Sequence, residues 1–224
     1  MIRKKAWELL CESGASLLPI DPHQIIGIQN WGFVSVGELA KKTELKRLDI
    51  ICGLDGEVRY CPKSSKYCII YDETAHEDRI PYSLCHEIGH IVLDHILDLY
   101  RANKSGHELT DEEYEFFEYE ADVFASELLM PTPVLMEIGL LKPMSIKRFC
   151  GVSKKAANTK ASFLASYMVF KADLDITAKI KQQFKDFINL YQKQYHLITE
   201  EHYIIENFID EAAATGDDLK TSRF

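Results

Sequence analysis

The chain has no stretch approaching the roughly 18 consecutive apolar residues that a membrane-spanning helix needs. Its first residues, Met1-Ile2-Arg3-Lys4-Lys5-Ala6-Trp7-Glu8-Leu9-Leu10, are basic but meet Glu8 and Glu12 at once. That pattern lacks the apolar core of a secretory signal, so a cytoplasmic location is expected. Positive charge is in deficit, with 26 Lys and Arg against 35 Asp and Glu. The net charge of −9 argues against general attraction to nucleic acid or anionic membrane. The cysteines, Cys11, Cys52, Cys61, Cys68, Cys85 and Cys150, form no C-x-x-C pair. In a reducing compartment they are expected as free thiols, with a Cys61–Cys68 bridge across a hairpin the second choice. No internal repeat is found. What remains is 224 residues at 46% hydrophobic content, enough for one large domain or a domain with a small appendage.

The richest stretch is His86-Glu87-Ile88-Gly89-His90, an H-E-x-x-H pattern. On a helix, residues i and i+4 share a face, so His86 and His90 can hold one Zn²⁺ between them. Glu87 projects from the adjoining face, where it can serve as general base toward a water. Ile80-Pro81 suits a helix entry, and Leu84, Ile88, Ile91, Val92 and Ile96 give the helix an apolar stripe. Cys85 turns about 100° away from His86 and reads as core.

A third ligand is needed. The extension H-E-x-x-H-x-x-G-x-x-H requires Gly and His where this chain has Leu93 and Ile96. His95 lies out of step, well round a continued helix, and reads as solvated or as a supporting histidine. A glutamate from a second helix is the other common solution. Thr110 and Glu113 form a capping box that opens such a helix, which Pro131 and Pro133 end. Glu118 and Asp122 share a face continuing through Ala125 and Leu129, while Glu120 and Glu127 share a more polar one. Acids on an inward face require a cation or donor. Glu118 is therefore the expected ligand, with Glu120 its rival. Asp122 is expected to accept a hydrogen bond from the ring N–H of a ligand histidine.

The two blocks HEIGH and EYEADVFASELLMP together resemble the ImmA/IrrE family of zinc metallopeptidases, most closely over residues 80 to 131. The resemblance implies zinc on His86, His90 and a glutamate within Glu118-Tyr119-Glu120, with Glu87 catalytic. It implies an α+β fold: a mostly helical, zincin-like core with a small antiparallel sheet, followed by a helical C-terminal region. It further implies cleavage of a specific protein, typically a DNA-binding repressor of a mobile element, prophage or stress-response locus.

Along the chain, helices are expected over 3–13, from Asp21-Pro22 to about Gln29, and after a Ser35/Glu38 capping box. Asp55-Gly56 is a hairpin signal, and Glu57–Cys61 and Tyr67–Tyr71 read as strands joined by a turn at 62–65. The edge of that sheet can pair with an extended peptide. Arg101 to Leu109 reads as a polar loop. Met144–Cys150, a Gly151-Val152-Ser153 turn and a helix over Lys154–Phe170 are helix-turn-helix-like. Lys142, Lys147, Arg148, Lys154, Lys155, Lys160 and Lys171 make this region basic. The expected division is 1–135 for the peptidase domain, 136–172 for the helix-turn-helix-like segment, and 173–224 for a helical extension with a tail. The alternative function is a metal-containing DNA-binding regulator that reads duplex through the basic stretch 138–172. A third is partner binding through the C-terminal helices.

Overall fold

In the computed structural model, the described residues are 1–51, 53–106, 109–167 and 174–194. The fold is α+β, with helices around a three-stranded sheet. Helix α1 (Ile2–Glu12) buries Ala6, Trp7, Leu9 and Leu10 on one face. Helix α2 (Pro22–Ile28) starts where the Asp21 carboxylate accepts the His23 N–H and proline fills the first turn. Strand β1 (Gly32–Ser35), α3 (Val36–Thr43) and α4 (Arg47–Ile51) follow. Ser35 caps α3 by accepting the Glu38 N–H.

Strands β2 (Gly56–Cys61) and β3 (Lys66–Tyr71) form the expected antiparallel pair. The sheet itself is mixed rather than antiparallel, because β1 adds to β3 in parallel, giving the order β1-β3-β2. Phe33 of β1 stacks on Tyr71 of β3 at 4.6 Å. The chain reverses after Cys61, with Ser65 at φ 51°, and Asp55-Gly56 makes no hairpin. Gly56 instead opens β2, opposite Tyr71. Cys68 pairs with Arg59 and not with Cys61, and both thiols are free.

Helix α5 (Ile80–Val92) carries the H-E-x-x-H pattern. It stops earlier than its apolar stripe implies. Asp94 adopts φ 67°, and a second helix, α6 (His95–Ser105), begins at once. Residues 101–105 are therefore helical rather than loop, and Gly106 at φ 74° closes α6. Helix α7 (Asp111–Leu129) opens with the full Thr110/Glu113 capping box. Pro133 then sits in the first turn of a short helix, α8 (Thr132–Glu137). Helices α9 (Pro143–Cys150) and α10 (Lys154–Tyr167) are joined through Gly151 in the left-handed conformation. Helix α11 (Leu174–Gln183) follows, with further helix over 185–194. Lys171 and residues 195–224 of the expected helical extension, its tail included, lie outside the described residues.

The larger core cluster unites α1, α2, α5 and α7 to α11, while Val36, Ile50, Ile51 and Ile70 form a second one at α3 and α4. Leu84, Ile88 and Ile91 of α5 meet Phe124, Ala125 and Leu128 of α7, with Trp7 and Leu10 from α1 and Ile146, Ala157 and Leu164 from α9 and α10. Fully burying a side chain such as Ile88 or Phe124 contributes about 1.5–3 kcal/mol. The crossing of α5 and α7 depends on Gly89. A Cβ there would lie 3.2 Å from Phe124 Cδ1 and 3.3 Å from the Ala121 backbone. The missing side chain lets α7 approach closely enough to bring its acids over the α5 histidines.

Two charged residues are placed otherwise than their sequence neighbourhoods imply. Glu127 is buried, not on a polar face. Its carboxylate accepts from Trp7 Nε1 at 3.0 Å, Lys160 Nζ at 2.9 Å and Thr132 Oγ1 at 2.8 Å. Lys160 is buried with it and pairs Glu127 to α10. Lys147 pairs with Asp78 at 2.9 Å. Of the basic stretch, Lys142, Arg148, Lys154 and Lys155 face solvent.

Candidate metal centre

His86 and His90 stand one turn apart on α5, and α7 lays Glu118 across them. His86 Nε2 lies 3.0 Å from His90 Nε2 and 3.1 Å from Glu118 Oε2, and His90 Nε2 lies 3.4 Å from Glu118 Oε1. One ligand atom from each residue falls within 4.8 Å of the others. Glu120 is not in this cluster; its Oε2 lies 3.0 Å from His95 Nε2.

The hydrogen bonds around the three side chains suit a cation between them. His86 Nδ1 lies 3.0 Å from Asp122 Oδ1, and a carboxylate only accepts. Nδ1 therefore carries a proton, and with a cation bound the neutral ring would present its Nε2 lone pair to the cluster. Two imidazole nitrogens and a carboxylate oxygen then converge on one point, the donor set suited to Zn²⁺. The surroundings also favour positive charge at this point. Burial opposes a proton on His86, but Asp122 and Glu118 outweigh it and push the imidazole up to about 10. The facing imidazoles of His86 and His90 hold the Glu118 carboxyl well below the usual range.

Asp122 is braced in turn by Tyr82, whose hydroxyl donates to the Asp122 carbonyl at 3.2 Å. Burial, then the Asp122 charge, pushes that phenol well above its ordinary value. The acids are not buried as their helix phase implies. Glu118 and Asp122 sit where the inward face of α7 leaves the core, and Glu118 is 60% exposed. The centre is thus open to solvent on the α7 side.

Glu87 points toward the sheet. A Cβ on Gly56 would lie 3.3 Å from Glu87 Cγ, so glycine at the start of β2 makes room for this side chain. Burial raises the Glu87 carboxyl pKa, against the pull of His90 and His86, and the Val58 main chain hydrogen-bonds it. Beside the centre, a cavity of about 870 Å³ is lined by Tyr82, Asp122 and Ser126 and reaches Lys155, Thr159 and Phe163 on α10.

His95 is buried rather than solvated, at 2% exposure. Because α5 breaks at Asp94, His95 swings back onto the centre. Its Nδ1 lies 3.1 Å from His90 Nδ1, and its ring stacks on Phe117 at 4.2 Å. Burial pushes this imidazole below its ordinary value, against the pull of Glu120. Periodicity missed this contact, and the signal that could have found it was an Asp tolerant of positive φ directly before the histidine.

An H-E-x-x-H helix crossed by a second helix that supplies a carboxylate is the architecture of a metallopeptidase centre. Residues 52–162 match the family model described as Peptidase_M78, the IrrE N-terminal-like domain. The chain belongs to this family, whose members are metallopeptidases. No individual curated protein matches the chain.

Proposed function

We propose that the protein is a zinc-dependent endopeptidase that cleaves a specific protein. The observation that carries this reading is the convergence of His86 Nε2, His90 Nε2 and Glu118 on one point, with Glu87 beside it against the sheet. In the proposed site His86, His90 and Glu118 hold Zn²⁺, which would polarise the scissile carbonyl and make a water nucleophilic near neutral pH. Asp122 holds His86 in the productive tautomer. Glu87 takes the proton of the attacking water and passes it to the leaving amine. Its raised pKa suits a group that must hold a proton between those two transfers. Strand β2 is an outer strand of the sheet, next to Glu87, and offers main-chain pairing to an extended substrate. The cavity beside Asp122 accommodates a substrate side chain.

The substrate class we favour is a DNA-binding transcriptional repressor, which rests on the ImmA/IrrE resemblance alone. The test compares the proteomes of host cells expressing wild type or Glu87→Gln, with zinc content measured on both purified proteins. The expected result is one zinc in each, and one protein clipped only by the wild type. Clipping undiminished in Glu87→Gln would sink the mechanism, and a clipped protein that binds no DNA would sink the repressor assignment.

A further inference from the structure

We infer that His95 and Glu120 are positioning residues for His90, forming a carboxylate–imidazole–imidazole relay that fixes which nitrogen of His90 faces the metal centre. This rests on the zinc reading above.

Three contacts fix where the protons lie. The Glu120 carboxylate only accepts, and its Oε2 lies 3.0 Å from His95 Nε2, so that nitrogen carries a proton. In the neutral ring, His95 Nδ1 is then the acceptor. It lies 3.1 Å from His90 Nδ1, which must therefore be N–H. His90 Nε2 is left with its lone pair, and it is this nitrogen that faces His86 Nε2 and Glu118. The result matches what Asp122 does for His86 in one step. Both ligand histidines are thus oriented by carboxylates of α7, His86 directly and His90 through an interposed imidazole.

Three features hold the interposed ring. The left-handed turn at Asp94 starts α6 at His95 and directs it back toward α5. Phe117 stacks on it with planes 6° apart, fixing the ring plane. Burial excludes water from both nitrogens, so each depends on its protein partner, and either one left unpaired is costly. A ring packed only for its bulk would need no such pairing at both nitrogens.

The test uses the full-length protein as wild type, His95→Phe, His95→Asn, Glu120→Gln and His86→Ala. Zinc affinity is measured by competition with a chromophoric chelator, and the Co²⁺-substituted proteins are compared by visible absorption. Phe keeps the stacking surface but offers no acceptor, so His95→Phe should bind zinc about 10–100-fold more weakly with an altered Co²⁺ spectrum. Asn places an amide oxygen near the position of Nδ1, so His95→Asn should recover most of the loss. Glu120→Gln retains an acceptor oxygen and should lose less than His95→Phe. Imidazole ¹⁵N spectra of the zinc-loaded wild type should show His95 protonated at Nε2, which requires no variant to fold. His95→Phe binding zinc as tightly as wild type, His95→Asn no better than His95→Phe, or a proton on His95 Nδ1 would each overturn the relay. Wild type that binds no zinc, or His86→Ala that binds it undiminished, would instead overturn the metal reading beneath it.

Discussion

Gly89→Ala separates the packing of α5 on α7 from the geometry of the centre. The added methyl would lie 3.2 Å from Phe124 Cδ1 and 3.3 Å from the Ala121 backbone, so α7 must yield by a few tenths of an ångström. Two stability effects oppose each other. Replacing glycine by alanine inside a helix gains about 1 kcal/mol, while overpacking a close contact costs about 1–3 kcal/mol. The net is a loss of roughly 0–2 kcal/mol. The metal responds more sharply, because metal–ligand distances tolerate only about ±0.2 Å and Glu118 stands one turn from Ala121 on the displaced helix. The expected signature is a small fall in denaturation midpoint with a zinc affinity lower by an order of magnitude or more. Gly27→Ala is the control: it meets nothing within 4 Å and should gain up to about 1 kcal/mol. Urea titration of the metal-free proteins and chelator competition for zinc read the two quantities. If Gly89→Ala matches Gly27→Ala in both, the close crossing is not what sets the ligand geometry.

Other outcomes follow from individual contacts. Asp122→Ala removes the acceptor for His86 Nδ1–H and should weaken zinc binding about 10–100-fold in the same competition assay. Lys160→Met removes the buried cation paired with Glu127 and should cost about 3 kcal/mol in urea unfolding, the low end of the usual range because Trp7 and Thr132 still donate to it and Arg3 stays 3.5 Å away. His86 has a folded pKa raised from 6.5 to about 10, so its contribution to the metal-free fold is complete below 6.5 and is lost as pH rises through about 10. Zinc must displace that proton, so apparent affinity should climb on the order of tenfold per pH unit above neutrality, with proton release measured by calorimetry in buffers of different ionisation enthalpy. A pH-independent affinity would contradict the ligand role of His86.

Much of the centre was legible in the sequence because it lies on helices, where spacing fixes direction. The i,i+4 rule puts His86 and His90 together, and the Thr110 capping box sets the phase of α7 closely enough to bring Glu118 and Asp122 to the same side. The rest depends on events that spacing does not record. Apolar residues continue past Leu93, so periodicity carries α5 onward, but Asp94 turns the backbone and reverses the placement of His95. Glu127 and Lys160 look like surface charges because such side chains are rarely buried unless paired, and the core supplies that pairing, with Trp7, Thr132 and Arg3 also on Glu127. Strand β1 is four residues long, and the capping signal at Ser35 masks it; its partner β3 lies far along the chain.

Helix α7 is a cantilever. From Asp111 to Phe116 its residues are exposed, and only from Ala121 onward is it anchored in the core. Glu118, against both α5 histidines, and Glu120, against His95 of α6, stand at the fulcrum. An ion gripped there would tie the free arm down, and its departure would release that tie. Amide exchange along 111–120 should therefore slow when zinc is added and quicken when it is chelated, making the projecting arm a gauge of whether the enzyme is armed.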